Sequence, residues 1–346
     1  MDQLVIEEVT SRSAVERWQR LAQTCAEADY INLPADTVQE LYGRIASDRI
    51  DNRFQLWLGC VGSTPVVLAE MKLPLLDNLS NAVIDIATHP AFRRRGYGKA
   101  MLEYVTERAK AEGRTRLIGE ISEPLASLDP APSVPGVAFA TAAGAKPVTS
   151  EVRRALKIDK LDDDELARLR DDAVAHSEGY SLIQWAGSAP ADLLEDLATL
   201  MARMVLDAPL EELDWEPEVW TPERYREMEK RVVAGGQERL STAARHDESG
   251  QVVATSDIGI ALGRPELADQ WATIVLPEHR GHRLGMRVKL ANLEFLRRTR
   301  PQVSLINTWN AAINDHMVSI NEAMGFRAVD RWREWQLELS TASRVD

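Results

Sequence analysis

Apolar positions along this chain recur with helical spacing and with strand spacing, and the same succession occurs twice. In the first half, Ser13–Ala28 and Asp36–Ser47 read as amphipathic helices, and Phe54–Val61 and Val66–Leu73 as strands. In the second half, Pro190–Leu206 and Pro222–Val233 read as helices, and Glu238–Arg245 and Val252–Ile260 as strands. Each half then has an apolar strand-like run, a Pro, an Arg three residues later and a Gly five residues after that Arg. Pro90 and Pro277, Arg93 and Arg280, and Gly98 and Gly285 are each 187 positions apart. A helix follows each Gly, with Met101, Leu102, Val105 and Ala109 on one and Val288, Leu290, Leu293, Phe295 and Leu296 on the other. Gly113 ends the first and Pro301 stands near the end of the second. Short strands follow at Arg116–Ile121 and Val303–Trp309, then Gly-containing turns at Ala143–Ala145 and Met324–Phe326, each leading to a last strand. The Pro-rich stretch Pro124–Pro135 reads as a loop.

The pattern predicts an α/β chain of two similar domains, residues 1–160 and 179–346. A helix-forming acidic stretch, 161–178, joins them. The length of 346 residues suits two domains. Apolar residues at 45% and charged residues at 27% are the balance of a folded chain with a sizeable core. A net charge of −13 argues against a general nucleic-acid or anionic-membrane binder, though a local basic cluster can still hold a small anion. Two cysteines provide neither a disulfide framework nor a multi-cysteine zinc site. The acidic start resembles no signal peptide and no apolar run approaches a membrane span, so a cytoplasmic location is expected.

A strand entering a Gly-punctuated turn that opens a helix can cradle phosphates, because the first helical N–H groups are unpaired and the dipole favours an anion. Arg93-Arg94-Arg95-Gly96-Tyr97-Gly98 is such a turn, but Ala100 and Met101 exclude a P-loop and a dinucleotide fingerprint. The hexapeptide resembles the acyl-coenzyme A loop of the GNAT superfamily of N-acetyltransferases, Gln or Arg, two residues, Gly, one residue, Gly or Ala. Arg280-Gly281-His282-Arg283-Leu284-Gly285 matches at its ends, with Arg283 where the first Gly belongs. The organisation resembles mycothiol synthase in architecture alone.

The resemblance implies two tandem domains, each a central mixed, splayed β-sheet flanked by helices. It implies acetyl-coenzyme A as co-substrate, with the pantetheine arm laid along Ile86-Ala87-Thr88 and Ile274-Val275-Leu276. The pyrophosphate is expected on the N–H groups of residues 93–98 and 280–285. Transfer to an amine needs a base, an oxyanion donor and release of a thiol. The family's base stands about eleven residues before the loop, which is Asp269 in the second copy and Ala82 in the first. Glu266 and Asp257 are the rivals to Asp269, which strand alternation puts on the side of Thr273 and Val275. Asp85 falls at odd spacing from Ala82, on the other side of its strand. The family's Tyr acid is missing: Asn321 stands at its place in one copy and Ala140, beside Phe139, in the other. Asn314 matches a family Asn and reads equally as a helix cap.

The six histidines have no metal spacing; His279 and His282 sit in the loop. The second copy keeps Asp269, Asn307-Thr308-Trp309-Asn310 and Asn314, so catalysis is expected there, although the first copy has the better phosphate loop. The expected activity is acetyl transfer to a small-molecule amine, without metal, nucleic acid or membrane; the alternative is a non-catalytic acyl-coenzyme A sensor. Trp215, Trp220, Trp271 and Trp309 suggest either an aromatic-lined site or core packing. The acceptor and the oligomeric state stay open.

Overall fold

The structure, a computed structural model, describes residues 3–30, 32–46, 50–125, 134–207 and 211–339. In chain order the first half contains β1 (Leu4–Glu8), α1 (Arg12–Asp29), α2 (Val38–Ala46), β2 (Asn52–Val61), β3 (Thr64–Pro74), β4 (Asn81–Thr88), α3 (Tyr97–Ala111), β5 (Arg116–Pro124), α4 (Pro135–Ala142) and β6 (Lys146–Lys157). The second half contains α5 (Asp163–Ala175), β7 (Tyr180–Ala186), α6 (Leu194–Asp207), α7 (Pro222–Ala234), β8 (Gln237–His246), β9 (Val252–Ala261), β10 (Leu267–Val275), α8 (Leu284–Thr299), β11 (Leu305–Ala311), α9 (Asp315–Ala323) and β12 (Arg327–Glu338). The expected helices and strands are present. Strands β1 and β7 were not anticipated, because each is short and lies at an edge. The expected Pro-rich loop falls for residues 126–133 outside the described residues, and α4 starts at Pro135 itself.

The chain divides into two compact units. One comprises Met1–Ser150, Glu211–Trp215 and Asp330–Asp346, the other Glu151–Leu210 and Glu216–Val329. This differs from the expected division at 160 and 179. In the first unit, Asp330–Glu338 of β12 pairs antiparallel with β5, and in the second, Glu151–Lys157 of β6 pairs antiparallel with β11. The last strand of each copy is thus exchanged. A repeat gives both sheets equivalent edges, so the sequence pattern cannot say which edge a terminal strand will join. The acidic segment is helical as expected, but α5 is no bare linker. Leu166, Leu169 and Ala173 pack against the second core, and Arg170 and Arg297 tie α5 to α8 through Glu294 and Asp163.

In the first unit the sheet runs β1-β2-β3-β4-β5-β12, antiparallel except for β4 beside β5. Alternation gives each strand two apolar faces. Trp57, Ala69, Met71, Ala82 and Leu117 meet Tyr97, Met101, Val105 and Ala109 of α3, whereas Leu56, Leu58 and Leu68 meet Val15, Trp18, Leu21 and Cys25 of α1 and Leu41 of α2. Ser11 caps α1, and Thr37 with Glu40 forms a capping box at α2.

The second unit's sheet runs β6-β11-β10-β9-β8-β7, antiparallel except for β10 beside β11. Helix α8 covers one face, with Met286, Leu290 and Leu293 on Ile258, Ile260 and Ala268; α6 and α7 cover the other. Strand β10 carries a bulge that its counterpart β4 lacks. Gln270 lies opposite Ile258 and Thr273 opposite Ser256, so one extra residue is accommodated between them. The bulge lets Trp271 lie across Gly259, where an added Cβ would stand 1.9 Å from the indole Cζ2. Gly259→Ala is expected to displace this ring and cost about 1–3 kcal/mol. Thermal unfolding with Trp fluorescence checks both effects; an unshifted midpoint with a native spectrum would contradict the close packing.

Candidate active site

Both parallel pairs open after three residues. In the first unit Asn81, Ala82 and Val83 face Arg116, Leu117 and Ile118, and the pairing then stops although both strands continue. In the second, Leu267, Ala268 and Asp269 face Leu305, Ile306 and Asn307, and pairing stops likewise. Beyond the last pair, β4 and β10 expose a strand edge. The His89 N–H bonds Val66 O, so by alternation the amides of Ile84, Ile86 and Thr88 face the opening and those between them face β3. In β10, Leu276 N–H bonds Val253 O, which turns Val275 toward the opening. An extended ligand can therefore add as a strand at either edge.

The loops beside these openings share one backbone shape. In the first, Arg94 and Gly96 have φ of 62° and 86°; in the second, Gly281 and Arg283, at the same repeat positions, have 88° and 52°. The glycine has moved between two left-handed positions, and the turn is kept. The missing Gly at 283 thus leaves the loop conformation intact, although a left-handed arginine carries some strain. Neither α3 nor α8 has a side-chain cap at its start, so the leading N–H groups point outward.

The first arginine of each loop does the same structural task. Arg93 donates from Nε to Thr88 O at 3.1 Å and from Nη2 to Asp29 at 2.6 Å; Arg280 donates to Val275 O at 3.4 Å and to Asp207 at 2.6 Å. Each pins the last residue of a helix earlier in its half, α1 or α6, to the strand end. Arg94 and Arg95 stand exposed at the first loop, Arg95 over the Phe92 ring. Arg283 is paired with Asp172 at 2.8 Å. The first loop therefore offers cationic groups to an anion where the second has them matched by carboxylates.

The face of the first sheet opposite α3 carries a feature that the sequence pattern passed over. Asp85 on β4 lies opposite Glu70 on β3, just past the point where β4 and β5 part. Asp85 is exposed to solvent on this face, with Glu70, Asp36 and Arg44 as its charged neighbours. Desolvation pushes its carboxyl up to about 6, Glu70 and Asp36 add to the rise, and Arg44 opposes it. Arg44 itself is bound to Glu70 at 3.1 Å and to Asp36 at 2.5 Å. Tyr30, capping α1, stacks on Trp332 of β12 with ring centroids 5.2 Å apart. Desolvation, then the charges of Asp85, Asp29 and Glu120, hold its hydroxyl far above the usual phenol range. The signal in the sequence is a carboxylate in the middle of a mostly apolar strand; its distance from the loop, eight residues and not eleven, hides it.

The second unit is built differently at the same place. Because of the bulge, Asp269 shares a face with Asp257 and Ile274, and lies on the opposite face from Thr273 and Val275, contrary to the expected alternation. It sits before the opening, with Asn307 Nδ2 3.5 Å from its Oδ1. Asn307 also accepts from Arg153, a fully buried guanidinium on the same face. Asp257, the rival, is buried and takes a 2.5 Å bond from Ser241; desolvation raises its carboxyl, and the Arg239 charge and the Ser241 bond oppose the rise. Glu266 holds the strand ends through its backbone carbonyl, bonded by Ser304 and Leu305 N–H. Asn314 caps α9 by accepting from Met317 N–H at 3.2 Å. Asn321, at the family's Tyr position, is fully buried and donates to Asn310 at 2.6 Å. His279 bonds Tyr180 at 2.9 Å in a ring cluster with His246 and His282, and desolvation followed by the charge of His246 lowers its imidazole pKa. Of the four tryptophans, Trp271 covers Gly259 and Trp220 packs on Tyr225, while Trp215 lies 5.9 Å from Lys72 in the first unit.

No helix among the described residues is long and apolar enough to cross a membrane. A search of curated protein sequences returned no match. The sequence model of the Acetyltransferase (GNAT) family matches residues 16–125, within the first unit. Among solved structures, a tandem GNAT protein from the clavulanic acid biosynthesis pathway is similar along the whole chain. It is 28% identical, covers 99% of this chain and 100% of its own, and has a TM-score of 0.82. A GCN5-related N-acetyltransferase from Sphaerobacter thermophilus shares the fold at 16% identity, with a TM-score of 0.64 and coverage of 99% and 97%. An acetyltransferase structure from Pyrococcus horikoshii does so at 11% identity and a TM-score of 0.56, over 100% and 93%. With two splayed sheets, two phosphate-type loops and these matches, the chain is a tandem GNAT protein, an acyltransferase of the fold that transfers acetyl groups from acetyl-coenzyme A.

Proposed function

We propose that the protein moves an acetyl group from acetyl-coenzyme A to the amine of a small molecule, and that the reaction runs in the first unit with Asp85 as base. The observation that carries this reading is the position of Asp85 on β4, opposite Glu70 and immediately past the parting of β4 and β5. The intact first loop, with Arg94, Arg95, Gly96, Tyr97 and Gly98, supports it, as does the family match over residues 16–125. Catalysis in the second unit through Asp269 is the weaker reading. There Asp269 stands before the opening, beside Asn307 and the buried Arg153, and Trp271 lies on Gly259 over the same face.

In this mechanism the pantetheine arm lies along Ile86, Ala87 and Thr88, and the pyrophosphate meets the N–H groups of the loop. The amine lone pair attacks the thioester carbonyl carbon, an edge amide of β4 stabilises the oxyanion, and the C–S bond breaks with its electron pair on sulfur. Asp85 takes the proton that the nitrogen loses. A carboxyl near 6 is a better base than an ordinary one, yet its proton passes downhill to a thiolate whose conjugate acid has a pKa of about 8.5. This relay supplies the acid that the missing family Tyr leaves open. Tyr30 is no substitute, because its raised pKa makes proton release to sulfur unfavourable.

Asp269→Asn tests the choice of unit. Thiol release from acetyl-coenzyme A should stay within about threefold of wild type, since the general base, worth about 10²–10⁴-fold, lies elsewhere. A loss of a hundredfold or more at unchanged coenzyme affinity would return the chemistry to the second unit.

A further inference from the structure

Helix α8 carries a lysine where its counterpart in the first copy carries a hydrophobic residue. Lys289 and Leu102 are 187 positions apart, and Leu102 packs on the first core. Lys289 is 1% exposed, although a lysine ordinarily keeps its charged end in water. It stands one turn beyond Gly285 on the same side of α8, flanked by Met286 and Leu293 of the second core. At Gly285 that side approaches α9 and the end of β10: an added Cβ would stand 3.6 Å from Ile320 Cδ1 and 3.8 Å from Val275 Cγ2. The Lys289 Nζ lies 5.5 Å from the centre of the Phe326 ring.

Among the described residues no carboxylate pairs with this ammonium. On the elements packed against α8, Asp163 and Asp172 of α5 pair with Arg297 and Arg283, and Glu238 of β8 pairs with Arg300. Tyr180 of β7 bonds His279, beside His246 of β8. Asp257 of β9 and Asp269 of β10 lie on the sheet face opposite Ile258 and Ile260, which meet α8. Glu322 of α9 pairs with Arg154. An ammonium buried without an anion is costly, and an amine so placed gives up its proton. One ring face does not replace a carboxylate. Burial alone moves the amine from its ordinary pKa of 10.5 to about 7. We propose that the second unit closes around Lys289 as a neutral amine, so that loosening α8 from the sheet takes up one proton. Helix α8 opens directly from the second phosphate-type loop, so this proton sets how firmly the helix behind that loop is held. The proposal stands whichever unit carries the chemistry.

Once exposed, the amine regains its ordinary pKa. Between about 7 and 10.5 the loosened helix therefore holds a proton that the packed helix lacks. Loosening rises as pH falls through this window, by up to about tenfold per unit, and levels off below about 7, where both states are charged. Hydrogen exchange of the α8 amides in the full chain, from pH 7 to 9, reads this directly. Corrected for the intrinsic exchange rate, wild-type protection should rise several-fold per pH unit. Lys289→Met keeps the length of the side chain and removes the charge. It should raise α8 protection by at least about tenfold at pH 7, an advantage that shrinks toward pH 9. Lys289→Arg, charged throughout, should lower protection and lose the slope. A Met-to-wild-type ratio constant with pH, or weaker protection in Lys289→Met at every pH, would overturn the proposal. If a variant does not fold, the wild type decides, with α3 and its Leu102 as internal reference. Protection that rises with pH in α8 and not in α3 supports the proposal; a parallel course in both helices refutes it.

Discussion

Asp85→Asn is expected to lower turnover by about 10²–10⁴-fold, the range for loss of a lone general base. Asn has the same shape and still sits opposite Glu70, so the strand should persist. Acetyl-coenzyme A affinity should be nearly unchanged, because the carboxylate lies eight residues before the loop, on β4. The pH profile carries the sharper test. The base works only when ionised, and desolvation sets its pKa at about 6. In the wild type kcat/KM should therefore fall tenfold per pH unit below about 6 and hold above it until other groups intervene. In the variant this acidic limb should vanish, and the residual rate should rise at high pH, where the amine is neutral without help. A retained limb near 6 in Asp85→Asn would assign the titration to another group.

Gly98→Glu is expected to abolish coenzyme binding at the first loop, weakening it by a hundredfold or more. An added Cβ at Gly98 would stand 3.1 Å from Thr88 Oγ1 and 3.5 Å from the Phe139 ring, so the site has no slack. The new carboxylate would occupy the unpaired N–H groups at the start of α3 and repel the pyrophosphate. A negative charge there is favourable to the helix dipole, so the fold should survive the change. Calorimetry separates the two loops: one site lost with the other unaltered means both bind, and complete loss means the first loop alone does. An unchanged number of sites and unchanged affinity would show that the first loop holds no coenzyme. Combined with Asp269→Asn, the pair of variants decides which unit carries the chemistry.

The difference between Asp85 and Asp269 illustrates how far a linear pattern reaches. Counting back from the loop found a carboxylate in the second copy and an alanine in the first, and strand alternation appeared to orient both. In the structure Asp269 faces the other way, because one inserted residue between Gln270 and Thr273 reverses the face of everything before it. Asn314 was readable either as a cap or as a coenzyme contact, and its bond to Met317 N–H makes it a cap. The Asp29 and Asp207 partners of the loop arginines were invisible in the sequence, since neither lies near its arginine along the chain.

By itself the sequence determined the duplication, the succession of elements in each copy and the two phosphate-type loops. These follow from local rules: hydrophobic period, glycine where φ must be positive, and an unpaired helix start. Only the tertiary structure decided the exchange of β6 and β12, since two equivalent sheet edges compete for strands of the same pattern. It also decided the neighbourhood of Asp85. That neighbourhood brings together Tyr30, Glu70, Glu120 and Trp332, residues up to 302 positions apart between Tyr30 and Trp332, and no local period records which side chains distant strands bring to one face. The acidity of Asp85 is a property of that assembly: desolvation and neighbouring carboxylates exist only once the sheet has formed.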